Sequence, residues 1–168
     1  MAHHKWILID GYNLLHASGV FGSGGRTPLA SSREALLDWL GAVLSEDQRR
    51  RTTIVFDARN APPGLPRTGK KHGLRIRFAP RGCEADDMIE ELIVEHTAPR
   101  SLVVVSSDHR IHRAAKRRRA TPIDSDQWVA YVRRCAQTNA KPACATSDDV
   151  GELPDDTLQV WLDEFAEE

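Results

Sequence analysis

Carboxylates close the apolar runs of this chain. "KWILID" ends on Asp10, "TTIVFD" on Asp57 and "SLVVVSSD" on Asp108, while "GCEADDMIEELIVEHT" begins with Glu84, Asp86 and Asp87. A carboxylate beside a buried strand is costly unless it is paired or neutralised. Several that converge repel one another, and the repulsion is relieved by raised pKa values or by a bound divalent cation. Hard oxygen donors without His or Cys favour Mg²⁺ or Mn²⁺ over zinc. With phosphate as substrate, such a cation neutralises the non-bridging oxygens, lowers the pKa of a bound water and orients in-line attack.

An Asp at the end of one strand is commonly a turn former or a helix cap. Repetition at three strand ends, beside an acid-rich helix start, points instead to a shared site. Ile89 and Ile93 mark the buried side of that helix and aim Asp86 near the strand ends, whereas Glu84 and Asp87 also suit the helix dipole. Asn13 suits either an Asx turn or an amide that hydrogen-bonds Asp10 or a water on the metal. Ser106 and Ser107 can cap the helix that follows them or contact phosphate.

The elements that must gather these residues alternate along the chain. Residues 5–10, 52–57 and 101–108 read as buried strands, "LRIRFAP" as a half-covered or edge strand and "TPI" as a last short strand. "ASSREALLDWLGAVLSE" opens with Ser31 and Ser32 as N-cap candidates and repeats Leu36, Leu37, Leu40, Val43 and Leu44 at helical spacing. Helices are also predicted for "GCEADDMIEELIVEHT", for the basic "HRIHRAAKRRR" and for "SDQWVAYVRRCAQ", the last capped by Ser125 or Asp126. "GVFGSGGRTPL" and "ARNAPPGLPRTGKKHG" read as loops, the first as a rim of the cleft that lacks the spacing of a phosphate-binding loop. This alternation implies an α/β sandwich around a mostly parallel sheet. Ligands of such sheets sit beyond the carboxyl ends of the strands. Right-handed crossovers would place Asp10, Asp57 and Asp108 on that one edge.

The 168 residues suit one domain that buries its own core. Residues 1–136 are expected to form it, followed by a linker from about 137 and a terminal acidic amphipathic helix with Leu158, Trp161, Leu162 and Phe165 on one face. No apolar run approaches the roughly 18 residues of a membrane span, and "MAHHKW" lacks signal-peptide features, so a cytoplasmic protein without a membrane partner is expected. Cys83, Cys135 and Cys144 are odd in number and widely spaced, against a disulfide framework or a structural zinc site. The formal net charge of −1 conceals a split: residues 148–168 hold nine acids and no Lys or Arg, leaving residues 1–147 at +8. A basic body suits a polyanionic partner, and the acidic tail could fold over it as a mimic of that polyanion or dock a partner.

"LIDGYNLL", "VFDA", "EADDMIEELI" and "VVVSSD" together resemble the NYN domain, a branch of the PIN-like ribonuclease superfamily, and most closely its bacterial YacP-like group. The resemblance spans roughly residues 5–135. It implies a three-layer α/β/α fold with strand order 3-2-1-4-5 and metal-dependent cleavage of RNA phosphodiesters, with Mg²⁺ or Mn²⁺ as cofactor. Carried over by position, the family's acidic site falls on Asp10 and Asn13 in the D-x-x-N turn, Asp86 in "EADD" and Asp108 in "SSD". Asp57 and Asp87 match less constant members of the acidic set, and Glu84 is the weakest match.

Two basic clusters could grip such a polyanion at the rim of the cleft. "RTGKKHGLRIR" supplies Arg67, Lys70, Lys71, His72, Arg75 and Arg77, and "HRIHRAAKRRR" supplies Arg110, Arg113, Lys116, Arg117, Arg118 and Arg119. Ser107, Lys70, Lys71, Arg110, Arg113, Lys116 and Arg117 are the expected substrate contacts, with a solvated face as the bland reading of the second cluster. No aromatic residues interleave these bases in the manner that stacks successive single-stranded bases.

The leading expectation is thus an endoribonuclease in which Asp10, Asp86 and Asp108 bind the metal while Asn13 and Asp57 support them. RNA is the partner, ribosome-presented mRNA among its forms, and the oligomeric state is left open. The alternative is a non-catalytic RNA-binding or ribosome-associated module on the same fold. Phosphatase chemistry of the haloacid dehalogenase type needs a second Asp two residues after the first, where this chain has Tyr12.

Overall fold

The computed structural model describes residues 5–19, 29–57, 67–80 and 82–139, with side chains as far as 136. Among these residues six strands form one sheet: β1 (Trp6–Asp10), β2 (Thr52–Phe56), β3 (Thr68–Lys71), β4 (Leu74–Phe78), β5 (Leu102–Val105) and β6 (Thr121–Ile123). The order across the sheet is β3-β4-β2-β1-β5-β6, parallel throughout except for the β3–β4 hairpin. The five parallel strands taken alone follow 3-2-1-4-5, and β3 adds an antiparallel edge. Local pattern puts "TGKK" within a loop. It pairs instead because His72 and Gly73, both at positive φ, turn the chain tightly back onto β4.

Among the described residues six α-helices cover the two faces: α1 (Gly11–Ser18), α2 (Leu29–Val43), α3 (Glu46–Arg50), α4 (Ala85–Glu95), α5 (His109–Arg117) and α6 (Ser125–Asn139). Alternation along the strands sorts the core into two layers. Ile7, Ile9, Ile54, Phe56, Val103 and Val105 pack with Leu14 and Leu15 of α1, Leu36, Leu37 and Leu40 of α2, and Trp128 and Val132 of α6. Leu8, Val55, Leu102 and Val104 face the other way, onto Ala85, Ile89 and Ile93 of α4 and Ile111, Ala114 and Ala115 of α5. The three-layer arrangement is the one expected. Among the described residues no helix is long and apolar enough to cross a membrane.

Two local expectations are corrected. The chain does not enter a loop after β1 but turns at once into α1, which Asp10 caps by accepting the Asn13 backbone N–H at 3.1 Å. Asn13 therefore lies in the first turn of a helix. Gly11 permits that close junction: a Cβ there would stand 2.3 Å from the Phe56 ring. Helix α2 begins at Leu29, so Ser31 and Ser32 lie inside it and Ser32 is buried. Helix α6 reaches Asn139, past the expected linker start near 137; the rest of the linker, the expected acidic terminal helix, nearly all of the glycine-rich loop and most of the proline-rich loop lie outside the described residues.

Candidate active site

A cleft of about 440 Å³ opens at the carboxyl edge of the sheet, lined by Asp10, Tyr12, Asn13, His16, Asp57, Glu84, Ala85 and Asp86. The chain delivers these groups by three routes: the β1–α1 junction, the residue after β2, and the first turn of α4. Asp10 is 6% exposed. It accepts hydrogen bonds from the Asn13 N–H and, at 3.2 Å, from the Ser106 hydroxyl. Burial outweighs these bonds and, with repulsion from Asp86 and Asp108, pushes its pKa up to about 6. Burial also raises the Asp86 carboxyl, helped by Asp108, against the pull of the Arg110 guanidinium.

Asp108 caps α5, accepting the Arg110 N–H at 2.6 Å, while its own N–H donates to the Ser106 hydroxyl oxygen at 3.1 Å. Ser106 thus joins two acids that are 98 residues apart in the chain. Asn13 performs a parallel task. Its Oδ1 accepts the Ser107 N–H at 3.2 Å and the Ser125 hydroxyl at 3.3 Å, tying α1 to the β5–α5 turn and to the start of α6. Both donors require the amide oxygen on that side, so the amide nitrogen is left over, without a partner among the described residues. Ser107 completes the knot by accepting the Ser125 N–H at 3.2 Å.

Among the described residues, no three His, Cys, Asp or Glu side chains stand close enough together to hold a metal ion unaided. The donor chemistry nevertheless fits a hard divalent cation. Asp10 is a carboxylate raised chiefly by burial and further by two like charges, and Mg²⁺ commonly takes only one or two carboxylates while keeping several waters.

Comparison with known proteins bears on this arrangement. The family model described as the YacP-like NYN domain matches residues 7–163. The chain belongs to that family. Its model reaches past residue 136, the domain end expected from the sequence. A solved structure of Rae1 (YacP) from Bacillus subtilis superposes with a TM-score of 0.61 at 22% identity, covering 80% of this chain and 78% of that one. A second structure of the same Bacillus subtilis protein, a mutant with one tryptophan replaced by leucine, gives 0.58 at 20% identity over 95% of this chain and 98% of that one. These likenesses speak to the fold. No curated protein matches the sequence.

In this YacP-like NYN domain the expected site residues divide into three groups. Asp10, Asn13, Asp57 and Asp86 line the cleft, and Asp108 lies near enough to act on Asp10 and Asp86. Asp87 does not line it; its carboxyl is held low by Arg110, which bonds it at 2.6 Å, and by the Glu84 N–H. Of the basic residues, Arg110 is committed to Asp87 and Glu90, and Arg118 donates to the Val94 and His96 carbonyls at the end of α4. Arg117 lies 3.9 Å from Glu90, whereas Arg113 and Lys116 are exposed on α5. Lys71 is paired with Glu34 and Asp38 of α2 at the amino end of β4, on the edge away from the cleft, and Lys70 is next to it. The sequence reading missed Tyr12 and His16, whose spacing of four on one helical face was the available signal once α1 is seen. It also missed the bracing by Ser125, for which no local signal exists.

Proposed function

We propose that this NYN domain is an endoribonuclease that hydrolyses RNA phosphodiesters at the carboxyl-edge cleft with Mg²⁺ or Mn²⁺. The observation that carries the reading is the Asp10 carboxylate lining the cleft beside Asp86, its pKa raised by burial and, to a lesser degree, by Asp86 and Asp108. Asp10, Asp86 and Asp108 would hold the cation, partly through water, with Asp57 in support. When bound, the cation supplies charge neutralisation at phosphate and a more acidic water.

The chain's own residues do the positioning. Ser106 holds Asp10 and the Asp108 backbone in one register, and Asn13 fixes the turn that carries Ser107 and Asp108. The Asn13 amide nitrogen, uncommitted among the described residues, is placed to donate to a phosphate oxygen or a water. Arg113 and Lys116, exposed on α5, attract the RNA backbone electrostatically.

The decisive experiment titrates Mn²⁺ calorimetrically into the wild type and Asp10→Asn/Asp108→Asn, then follows cleavage of a labelled single-stranded RNA. Loss of both binding and cutting in the double variant is expected. Metal binding in the wild type without cutting, on any RNA supplied, would favour a non-catalytic RNA-binding module.

A further inference from the structure

A second pocket, of about 320 Å³, lies toward the amino-terminal ends of the strands, between β1, β2, β4 and the last turn of α4. Its lining includes Trp6, Arg51, Arg75, Arg77 and His96, with Glu95 the one carboxylate among its described residues. Strand β4 explains the arginines. Leu74, Ile76 and Phe78 are buried on the α2 side, so Arg75 and Arg77 project from the opposite face. There α4 packs over β1 and β2, and α5 over β5 and β6. On that side of β4 Arg75 is exposed and Arg77 half-buried. Lys70 of β3 stands directly opposite Arg75 and shares its face.

This basic strip runs from the acidic cleft toward the pocket. Asp10 pairs with Val55 and Val55 with Arg77, so Arg77 occupies the same cross-strand row as the site carboxylate, roughly 10 Å away at the usual strand spacing. Arg75 lies two residues further along β4, with its guanidinium 5.4 Å from the Trp6 ring centroid. His96 meets the same ring edge-on at 5.9 Å. Arg51 is neutralised by Asp47, but Lys70, Arg75 and Arg77 make no ion pair among the described residues. Flat aromatic and guanidinium groups beside unpaired cations suit a polyanion whose bases are free to stack.

We propose that this open sheet face is an accessory site for single-stranded RNA. Arg77, Arg75 and Lys70 take backbone phosphates of the segment leading away from the cleft, and the pocket takes a base against the Arg75, Trp6 and His96 group. The inference rests on the ribonuclease reading for its ligand.

The test is fluorescence anisotropy of a labelled 12-nucleotide single-stranded RNA with the full chain in EDTA, over a range of salt. Arg75→Ala/Arg77→Ala is expected to weaken binding about tenfold and to lower the slope of log K against log salt by about 1.4, two phosphate contacts at roughly 0.7 each. Arg75→Lys/Arg77→Lys restores most of the affinity, and Lys70→Glu, on an exposed edge, weakens it independently. Unchanged binding in the alanine pair, with a wild type that binds RNA, overturns the accessory site and leaves the nuclease reading standing. A wild type that binds no RNA at low salt overturns both. A duplex of equal length that loses as much affinity as the single strand overturns the assignment of a base to the pocket.

Discussion

The Ser106 hydroxyl donates to Asp10 Oδ2 at 3.2 Å and accepts the Asp108 N–H at 3.1 Å, so one buried serine sets the separation of two site acids. Its bond to Asp10 opposes the upward shift that burial imposes. Ser106→Ala is expected to raise the Asp10 pKa above about 6 and to move the acid limb of the cleavage profile to higher pH. The lost bonds should cost about 1–2 kcal/mol of stability. Carboxyl titration by NMR and urea denaturation check the two parts separately.

Asp10 also makes a prediction about stability. Its folded pKa of about 6 exceeds the ordinary 3.8, so between these values the native state binds more protons than the unfolded chain. Stability of the metal-free protein therefore falls as pH rises through this window. Asp10→Asn removes the penalty and is expected to stabilise the metal-free protein at pH 7 by up to about 3 kcal/mol, with little gain at pH 4. Thermal melts at both pH values, with and without Mn²⁺, give the answer; saturating Mn²⁺ should narrow the difference by stabilising the wild type alone.

Asn13 separates a charge effect from a bracing effect. Asn13→Ala leaves the Ser107 N–H and the Ser125 hydroxyl without their acceptor, at a cost of about 1–3 kcal/mol. Asn13→Asp keeps the acceptor but adds a negative charge beside Asp10, and should preserve the fold while raising the Asp10 pKa further. Cleavage that is lost in the alanine variant at all pH values, and retained at high pH in the aspartate variant, would match this division.

Gly11 tests the β1–α1 junction. A methyl group there meets the Phe56 ring and, at 2.8 Å, the Val55 carbonyl oxygen. Gly11→Ala is expected to destabilise by about 1–3 kcal/mol and to shift α1, carrying Asn13 and His16 with it. A variant as stable as the wild type, with unchanged metal affinity, would show that α1 need not be held so close.

Much of the scaffold was legible locally. The runs ending on Asp10 and Asp57 became strands that stop at or one residue before those acids, whereas β5 stops at Val105 and leaves Asp108 as the N-cap of α5; Ile89 and Ile93 marked the buried side of α4. Helix α1 was hidden because eight residues between an apolar strand and a glycine-rich segment offer little more than two turns of periodicity. Strand β3 was hidden because an edge strand of Thr, Gly and two Lys has no buried face to pattern.

The sequence by itself determined which residue types could do chemistry and which local element each belongs to, because apolar periodicity reports backbone geometry within a few residues. The burial that lifts Asp10, the bond from Ser106 that restrains it, and the bracing of Asn13 by residues 94 and 112 positions away were decided only by the tertiary structure. So was the parting of the first basic cluster, with Lys71 tied to α2 and Arg75 set beside Trp6 and His96. Strand register and crossovers bring such residues together, and both are fixed by the packing of two helical layers on one sheet, which no short stretch of the chain contains.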